Sequence, residues 1–415
     1  MTEHGTGRKA AQTAKTISAA DAAHAGHGRG GKCPWASGKV PCGGCCGDTS
    51  HYDRTLAAKL KSVRKTLAGV CVPERIVGTD EPMHYRNKVH RVLAPGGRGQ
   101  VISGIYQAGT HRVIPVENCL IEDERAQAVI ADTVELIRRF HFEIYDEDTG
   151  RGLMRHCLVR TAHESGELML VLVAASNFLP GQKEFVREIR RLHPEITTIV
   201  LSENRKRTTM VMGDREKVLY GPGYIRDRLC GRTFRISASS FYQINSPQTE
   251  KLYREAVRMA GLDGTQTVID AYCGIGTIGL CAADKAALVL GAELNAQAVS
   301  DAVKNIHENN LKNVRILKAD AGDFLEILAG KPDTQADRTV LFLDPPRSGA
   351  TRKFLQSALR LAPARIVYIS CGPESLARDL KQLSARYRVE EAEAFDMFPF
   401  TNHVETIVLL SRTNS

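Results

Sequence analysis

No apolar run in this chain is long enough to span a membrane, and the first residues lack the hydrophobic stretch of a secretory leader. Those two absences predict a soluble, cytoplasmic protein without a membrane partner. No internal repeat recurs along the 415 residues, which excludes a solenoid or a propeller. Negative charge is scarce at one end: residues 1–240 carry a net +10 and residues 241–415 a net −1, within an overall +9. A basic excess confined to one part suits contact with a polyanion, although a solvated basic surface also accounts for it.

What is present is ordinary in bulk. The chain is 43% hydrophobic and long enough for two or three domains. Residues 1–31, rich in Ala, Gly, Thr, His and Lys with no apolar period, read as a disordered basic tail. A compact Cys/Gly segment follows, from Cys33 to Gly47. Eleven cysteines in a cytoplasmic chain argue against a disulfide framework and for metal, cluster or catalytic roles where they gather. Leu56 to Val70 predicts an amphipathic helix with Lys59, Lys61, Arg64 and Lys65 on its polar side. The mixed pattern from His84 to about Val211 predicts an α+β domain.

From Thr267 short β-rich runs alternate with helical stretches, which predicts a doubly wound parallel sheet. The runs Tyr387 to Phe395 and His403 to Leu410 have no helix between them and predict an antiparallel pair closing that sheet. The expected organisation is thus a tail (1–31), an α+β unit (32–235) and an α/β unit (236–415).

Asp270-Ala-Tyr-Cys-Gly-Ile-Gly-Thr follows the first of these strands and opens a helix, where glycines let backbone approach a ligand. Glu293, 19 residues after Gly274, ends the second strand and can accept from both ribose hydroxyls. Asp320 ends the third and can reach an adenine edge. The third glycine of the dinucleotide fingerprint is missing from its place. That favours a nucleoside without a pyrophosphate, namely S-adenosylmethionine, over NAD. A tight turn needing glycine is the plainer alternative.

Ligands gather at the carboxyl ends of strands in such sheets. Those ends carry Gly274, Glu293, Asp320, Asp344 and Cys371 in succession. Cys371 lies 27 residues after Asp344 and 34 before Glu405. A cysteine nucleophile with a carboxylate base suits methylation of a pyrimidine carbon. Uracil C5 is too weak a nucleophile to take a methyl group directly. A thiolate adding at C6 makes C5 an enolate carbon, and a base must afterwards remove the C5 proton. Pro373 is placed to begin a helix whose dipole would lower the Cys371 thiol from about 8.5. Alternation in a strand puts His403 and Glu405 on one face. A core thiol and a salt-bridged carboxylate are the plainer readings. Asp344-Pro-Pro fixes a carboxylate that can accept from uracil N3–H. The aromatic that follows this motif in amino-group methyltransferases is absent, and Arg347 stands there.

These residues resemble the RNA uracil-5-methyltransferase family, over roughly residues 33–411. The resemblance rests on the Cys42 to Cys45 motif, Tyr85-Arg-Asn-Lys-Val, Gly104-Ile-Tyr, Phe234-Arg-Ile-Ser and Ser240-Phe-Tyr-Gln-Ile-Asn. It also rests on Asp344-Pro-Pro-Arg, Ser370-Cys and Asp396-Met-Phe-Pro-Phe-Thr-Asn-His-Val-Glu-Thr. It implies a Rossmann-like catalytic domain, Cys371 as nucleophile and Glu405 as proton acceptor. It implies further that Gln243, Tyr272, Thr277, Glu293, Asp320 and Asp344 line the S-adenosylmethionine site. The cysteine segment resembles members acting on 23S rRNA, which carry a 4Fe-4S cluster; the implied ligands are Cys33, Cys42, Cys45 and Cys119. The preceding α+β unit would then be an iron-sulfur and RNA-binding domain.

Three departures stand out. Cys33 and Cys42 are widely spaced, Cys46 is a spare thiol that can replace Cys45, and Ser-Cys-Gly-Pro replaces the usual Ser-Cys-Asn-Pro. With only about 30 residues before Cys33, no OB-like RNA-binding domain is expected. Four thiolates can equally bind zinc. The expected partner is 23S rRNA, with tRNA as the alternative, and a monomer is expected. A base amino-group methyltransferase and a non-catalytic, cluster-bearing RNA-binding protein remain as rivals.

Overall fold

The computed structural model describes residues 16–18, 33, 42–46, 49–97, 100–107, 110–207, 210–331 and 335–413. Apart from residues 16–18, the expected tail lies outside them.

The chain enters through strand β1 (Thr16–Ser18), helix α1 (Tyr52–Thr66) and strand β2 (Arg75–Val77). Leu56, Leu60 and Val63 recur at helical spacing in α1 and are buried. Lys59 falls on that same face and is only 5% exposed. The expectation that it joins Lys61 on the polar side is therefore corrected, because residues three and four apart share a helix face.

A seven-stranded sheet follows. Its strands are β3 (Lys88–Pro95), β4 (Val101–Tyr106), β5 (Val113–Pro115), β6 (Met154–Thr161), β7 (Leu168–Ala174), β8 (Ile196–Glu203) and β9 (Arg215–Tyr220), in the order β5-β4-β3-β6-β7-β8-β9. All neighbours are antiparallel except β7 and β8, which α3 (Gln182–Leu192) connects. Every residue of β6 and β7 is buried. The unbroken apolar run of β7 is what a strand covered on both faces requires. Helix α2 (Glu124–Arg139), capped by the Asp123 carboxylate, covers one face together with α3.

A hairpin of β10 (Tyr224–Leu229) and β11 (Arg232–Ser237) turns through Cys230 and Gly231, both at positive φ. Helix α4 (Ser246–Ala260) starts at Asn245, whose side chain accepts from Gln248 N–H. The doubly wound unit then runs β12 (Thr267–Ala271), α5 (Thr277–Ala282), β13 (Leu288–Glu293), α6 (Ala296–Glu308), β14 (Val314–Lys318), α7 (Ala321–Ala329), β15 (Thr339–Leu343), α8 (Arg352–Leu361), β16 (Arg365–Ser370), α9 (Pro373–Leu383), β17 (Tyr387–Phe395) and β18 (Glu405–Arg412).

The sheet order is β1-β2-β17-β18-β16-β15-β12-β13-β14. Strands β12 to β16 are parallel, while β18 runs antiparallel between β16 and β17. The chain starts at β12 and winds first one way, then the other, so a switch point opens between β12 and β15. Helices α7, α8 and α9 cover one face, and α1 joins that layer through Leu56, Leu60 and Val63. Residues 49–79, inside the expected 32–235 unit, thus pack on the second sheet. No helix among the described residues is long and apolar enough to cross a membrane.

Candidate active site

Five parallel strands end at one edge of the large sheet. An antiparallel strand begins where its parallel neighbours end, so Glu405, the first residue of β18, reaches that same edge. The register is explicit: Ser370 pairs with Thr406, and Phe395 pairs with Glu405. Cys371 follows Ser370 directly. Asp344 is the first residue after β15, next to β16.

Glu405 is 3% exposed, and its Oε2 has no hydrogen-bond partner. Burial and then the Asp344 charge push its carboxyl up to about 8, against a smaller pull from Arg347. Burial likewise pushes Asp344 up to about 7. The Cys371 thiol is pushed up to about 11 by burial, then by Glu405 and Asp344, with Arg347 opposing. The expected lowering is overturned. Helix α9 does start at Pro373, but burial and then the Glu405 and Asp344 charges raise the thiol. His403 lies before β18 rather than within it, so it does not share a strand face with Glu405.

The loop from Asp396 to Val404 delivers Glu405, and it is tied from several sides. Lys59 Nζ donates to Asp396 Oδ1 (2.6 Å) and to the carbonyls of Phe398 and His403 (both 2.9 Å). Tyr85 donates to Pro399 O, Asn245 to Met397 O, and the Cys46 amide to Phe400 O at 2.6 Å. Asp396 is raised by burial and Lys59 lowered by burial, so both ions are held at a desolvation cost that their mutual attraction offsets.

At the switch point, Tyr272 and Gly274 take φ of +64° and +55°, and Gly276 takes +85°. A Cβ on Gly274 would meet open space, so the strained backbone there leaves room for a ligand. Both oxygens of Glu293 are fixed, Oε2 by Gly274 N–H (3.0 Å) and Oε1 by Asn295 N–H (2.7 Å). Asp320 caps α7 through Oδ1, which accepts from Gly322 and Asp323 N–H. The Tyr272 ring packs on Phe354 at 5.3 Å. Thr277 opens α5 and meets the Tyr253 hydroxyl at 3.3 Å. Gln243 is buried in the loop before α4, its carbonyl held by Asn87 Nδ2 (3.0 Å). A glycine loop with ligand space and ordered acids on the next two strands fit the sugar and base of S-adenosylmethionine, which supplies a methyl group when bound.

Asp270 was not singled out from the sequence. It is 1% exposed, Oδ2 accepts from Gly279 N–H at 2.8 Å, Oδ1 has no partner, and burial lifts it to about 7. Lys59 and Asp396 were also missed as a pair. A lysine at helical spacing among Leu56, Leu60 and Val63 was the available signal.

The thiols are less assembled. Cys33 is buried. Cys45 and Cys119 both act electrostatically on the buried Tyr85 hydroxyl, which places them in one neighbourhood. Cys42 accepts from Gly44 N–H at 3.5 Å. Among the described residues no three His, Cys, Asp or Glu side chains converge as a metal site. The four-thiolate set named from the sequence is therefore not gathered in this conformation.

A doubly wound sheet with this glycine loop at its switch point defines the class: a Rossmann-like, S-adenosylmethionine-dependent methyltransferase. Over residues 205–413 the chain matches the family described as tRNA (uracil-5-)-methyltransferase. An uncharacterized RNA methyltransferase of Listeria innocua serovar 6a is 39% identical over 89% of this chain and 82% of its own length. Another, from Halalkalibacterium halodurans, is 39% identical over 90% and 82%. The crystal structure of Pyrococcus abyssi tRNA (uracil-54, C5)-methyltransferase in complex with S-adenosyl-L-homocysteine covers 86% of this chain and 83% of its own, with a TM-score of 0.69 at 25% identity. The chain belongs to the RNA uracil-5-methyltransferase family.

Proposed function

We propose that Cys371 adds through sulfur to C6 of a uridine in RNA, that C5 then takes the methyl group from the sulfonium of S-adenosylmethionine and leaves S-adenosylhomocysteine, and that Glu405 removes the C5 proton as the C6–S bond breaks and frees the thiolate. The observation that carries this reading is the register that sets Cys371 beside a buried carboxylate with one unpartnered oxygen. A carboxyl raised to about 8 is a stronger base than an ordinary carboxylate once ionised, and it accepts a proton best near and above that pH. Asp344, Gln243, Tyr272, Thr277, Glu293 and Asp320 hold the methyl donor and orient the base. The flipped base must leave its stack to reach Cys371. Cys371→Ala should abolish methyl transfer, and Glu405→Gln should accumulate a covalent RNA adduct on a denaturing gel. Full activity in the first variant would remove the mechanism.

The substrate we favour is 23S rRNA, on the resemblance of the cysteine segment to rRNA-modifying members. The similar structure from Pyrococcus abyssi is of a tRNA (uracil-54, C5)-methyltransferase, which favours tRNA as the second reading. Mass spectrometry of both RNA pools from a strain lacking the protein separates them by which pool loses 5-methyluridine. A 4Fe-4S cluster on Cys33, Cys42, Cys45 and Cys119 remains part of the proposal, supported by the Cys42 to Cys45 spacing and the shared neighbourhood of Cys45 and Cys119. Iron and acid-labile sulfide analysis of anaerobically purified protein tests it, and zinc in their place would redirect it.

A further inference from the structure

Arginines buried in the seven-stranded sheet have partners. Arg91 pairs with both carboxylate oxygens of Glu122, and Arg155 with Glu147 and two carbonyls. Arg86 and Lys88, two residues apart and both half-buried, depart from this pattern. Neither side chain has a hydrogen-bonded or ion-paired partner among the described residues, and Arg86 Nε is buried unsatisfied.

Their surroundings add positive charge. Lys88 is the cross-strand partner of Arg160, which donates to the carbonyls of Ala238 and Ser240 in the loop leading to Gln243. Like charges directly opposite each other destabilise a strand pair. Burial first, then Arg160 and Arg86, pulls the Lys88 ammonium down to about 8. Beside it the His90 and His156 rings lie 5.0 Å apart, with His90 Nε2 and His156 Nδ1 unsatisfied. No carboxylate is among the groups that shift Lys88, His90 or His156. Glu216 acts on Arg160 but on none of these three, so Arg86 and Lys88 keep half-buried positive charge without a paired acid, which suits an anion.

The cluster also leads to the reaction centre. Tyr85, beside Arg86, donates to Pro399 O in the loop that ends at Glu405, and Arg86 and Arg347 both act on exposed His403 of that loop. We infer that Arg86 and Lys88, continued by His403 and Arg347, form a track for the backbone phosphates of the single RNA strand that presents the target uridine. The inference rests on RNA being the substrate and deepens that reading. It does not depend on covalent chemistry at Cys371.

The test is run in a Cys371→Ala background, where no adduct can form. Binding of a short oligouridylate is followed by fluorescence anisotropy across a salt series. Replacing Arg86 and Lys88 together by Ala should weaken binding roughly tenfold at low salt. It should also flatten the log–log salt slope by about 0.7 for each lost contact. The pair Arg86→Lys and Lys88→Arg should keep the slope. Unchanged affinity, or weaker binding with an unchanged slope, overturns the track. A second measurement needs no substitution: oligouridylate should protect Lys88 from amine acetylation in the unaltered protein. Equal labelling of Lys88 with and without RNA also overturns it.

Discussion

At the scale of single residues, burial holds Cys371, Asp344 and Glu405 toward their neutral forms. Burial beside two carboxylates keeps the Cys371 thiol near 11, so its thiolate fraction should rise about tenfold per pH unit through the neutral range. Alkylation of Cys371 by iodoacetamide, followed by peptide mass spectrometry, should climb with pH accordingly. After burial, Glu405 is the largest contributor to that rise, so Glu405→Gln should shift the alkylation profile to lower pH. An unshifted profile would mean the two groups do not sense each other. For Glu405 the sign runs the same way: a carboxyl raised to about 8 is protonated below that pH and becomes a base above it. Resolution of the RNA adduct, measured in single-turnover quench experiments, should accelerate up to about pH 8 and then level off. Glu405→Gln should slow that step by about 10²- to 10⁴-fold. Sequence alone named Cys371 and Glu405 because their spacing from Asp344 and their loops are distinctive. It misjudged the thiol's acidity, because a helix dipole is visible in Pro373 whereas the extent of burial is not.

At the scale of elements, one helix and one loop carry the argument. Lys59 of α1 holds Asp396 and two carbonyls of the loop that ends at Glu405. Lys59→Met leaves the Asp396 charge buried and alone, and should cost about 3–5 kcal/mol of stability in denaturant titration. Adding Asp396→Leu should restore part of that stability, because the uncompensated ion is gone. Activity should stay low in the double variant, since the carbonyls of Phe398 and His403 still lack their donor and Glu405 loses its placement. A fully active double variant would make Lys59 a counter-ion and nothing more. The elements themselves were largely legible. The strands β12 to β16, the antiparallel pair β17 and β18, and helix α9 follow from periodicity and Pro373. Residue type hides the burial of Lys59, because its charge suggests solvent whereas its helical spacing with Leu56, Leu60 and Val63 places it inside.

At the scale of the whole molecule, the second sheet extends beyond its doubly wound core. Strand β2 adds to β17, α1 joins the helical layer, and the Cys46 amide holds Phe400 O. Sequence reading cannot show this, since the pairing of β2 with β17 is a contact between residues more than 300 positions apart. The cysteine segment and the Glu405 loop are thus mechanically joined. Cys46→Pro, which removes the amide donor, should lower the rate of adduct resolution without changing S-adenosylmethionine affinity measured by calorimetry. Loss of affinity with no change in rate would place the effect elsewhere.

The most direct measurement is intact-protein mass spectrometry after incubation with 5-fluorouridine RNA and S-adenosylmethionine, in which fluorine replaces the proton that Glu405 would remove. A species with the mass of protein, RNA and one methyl group, mapped by digestion to Cys371, is the expected result. Methyl transfer to uridine RNA by an enzyme that never yields this species would contradict the account.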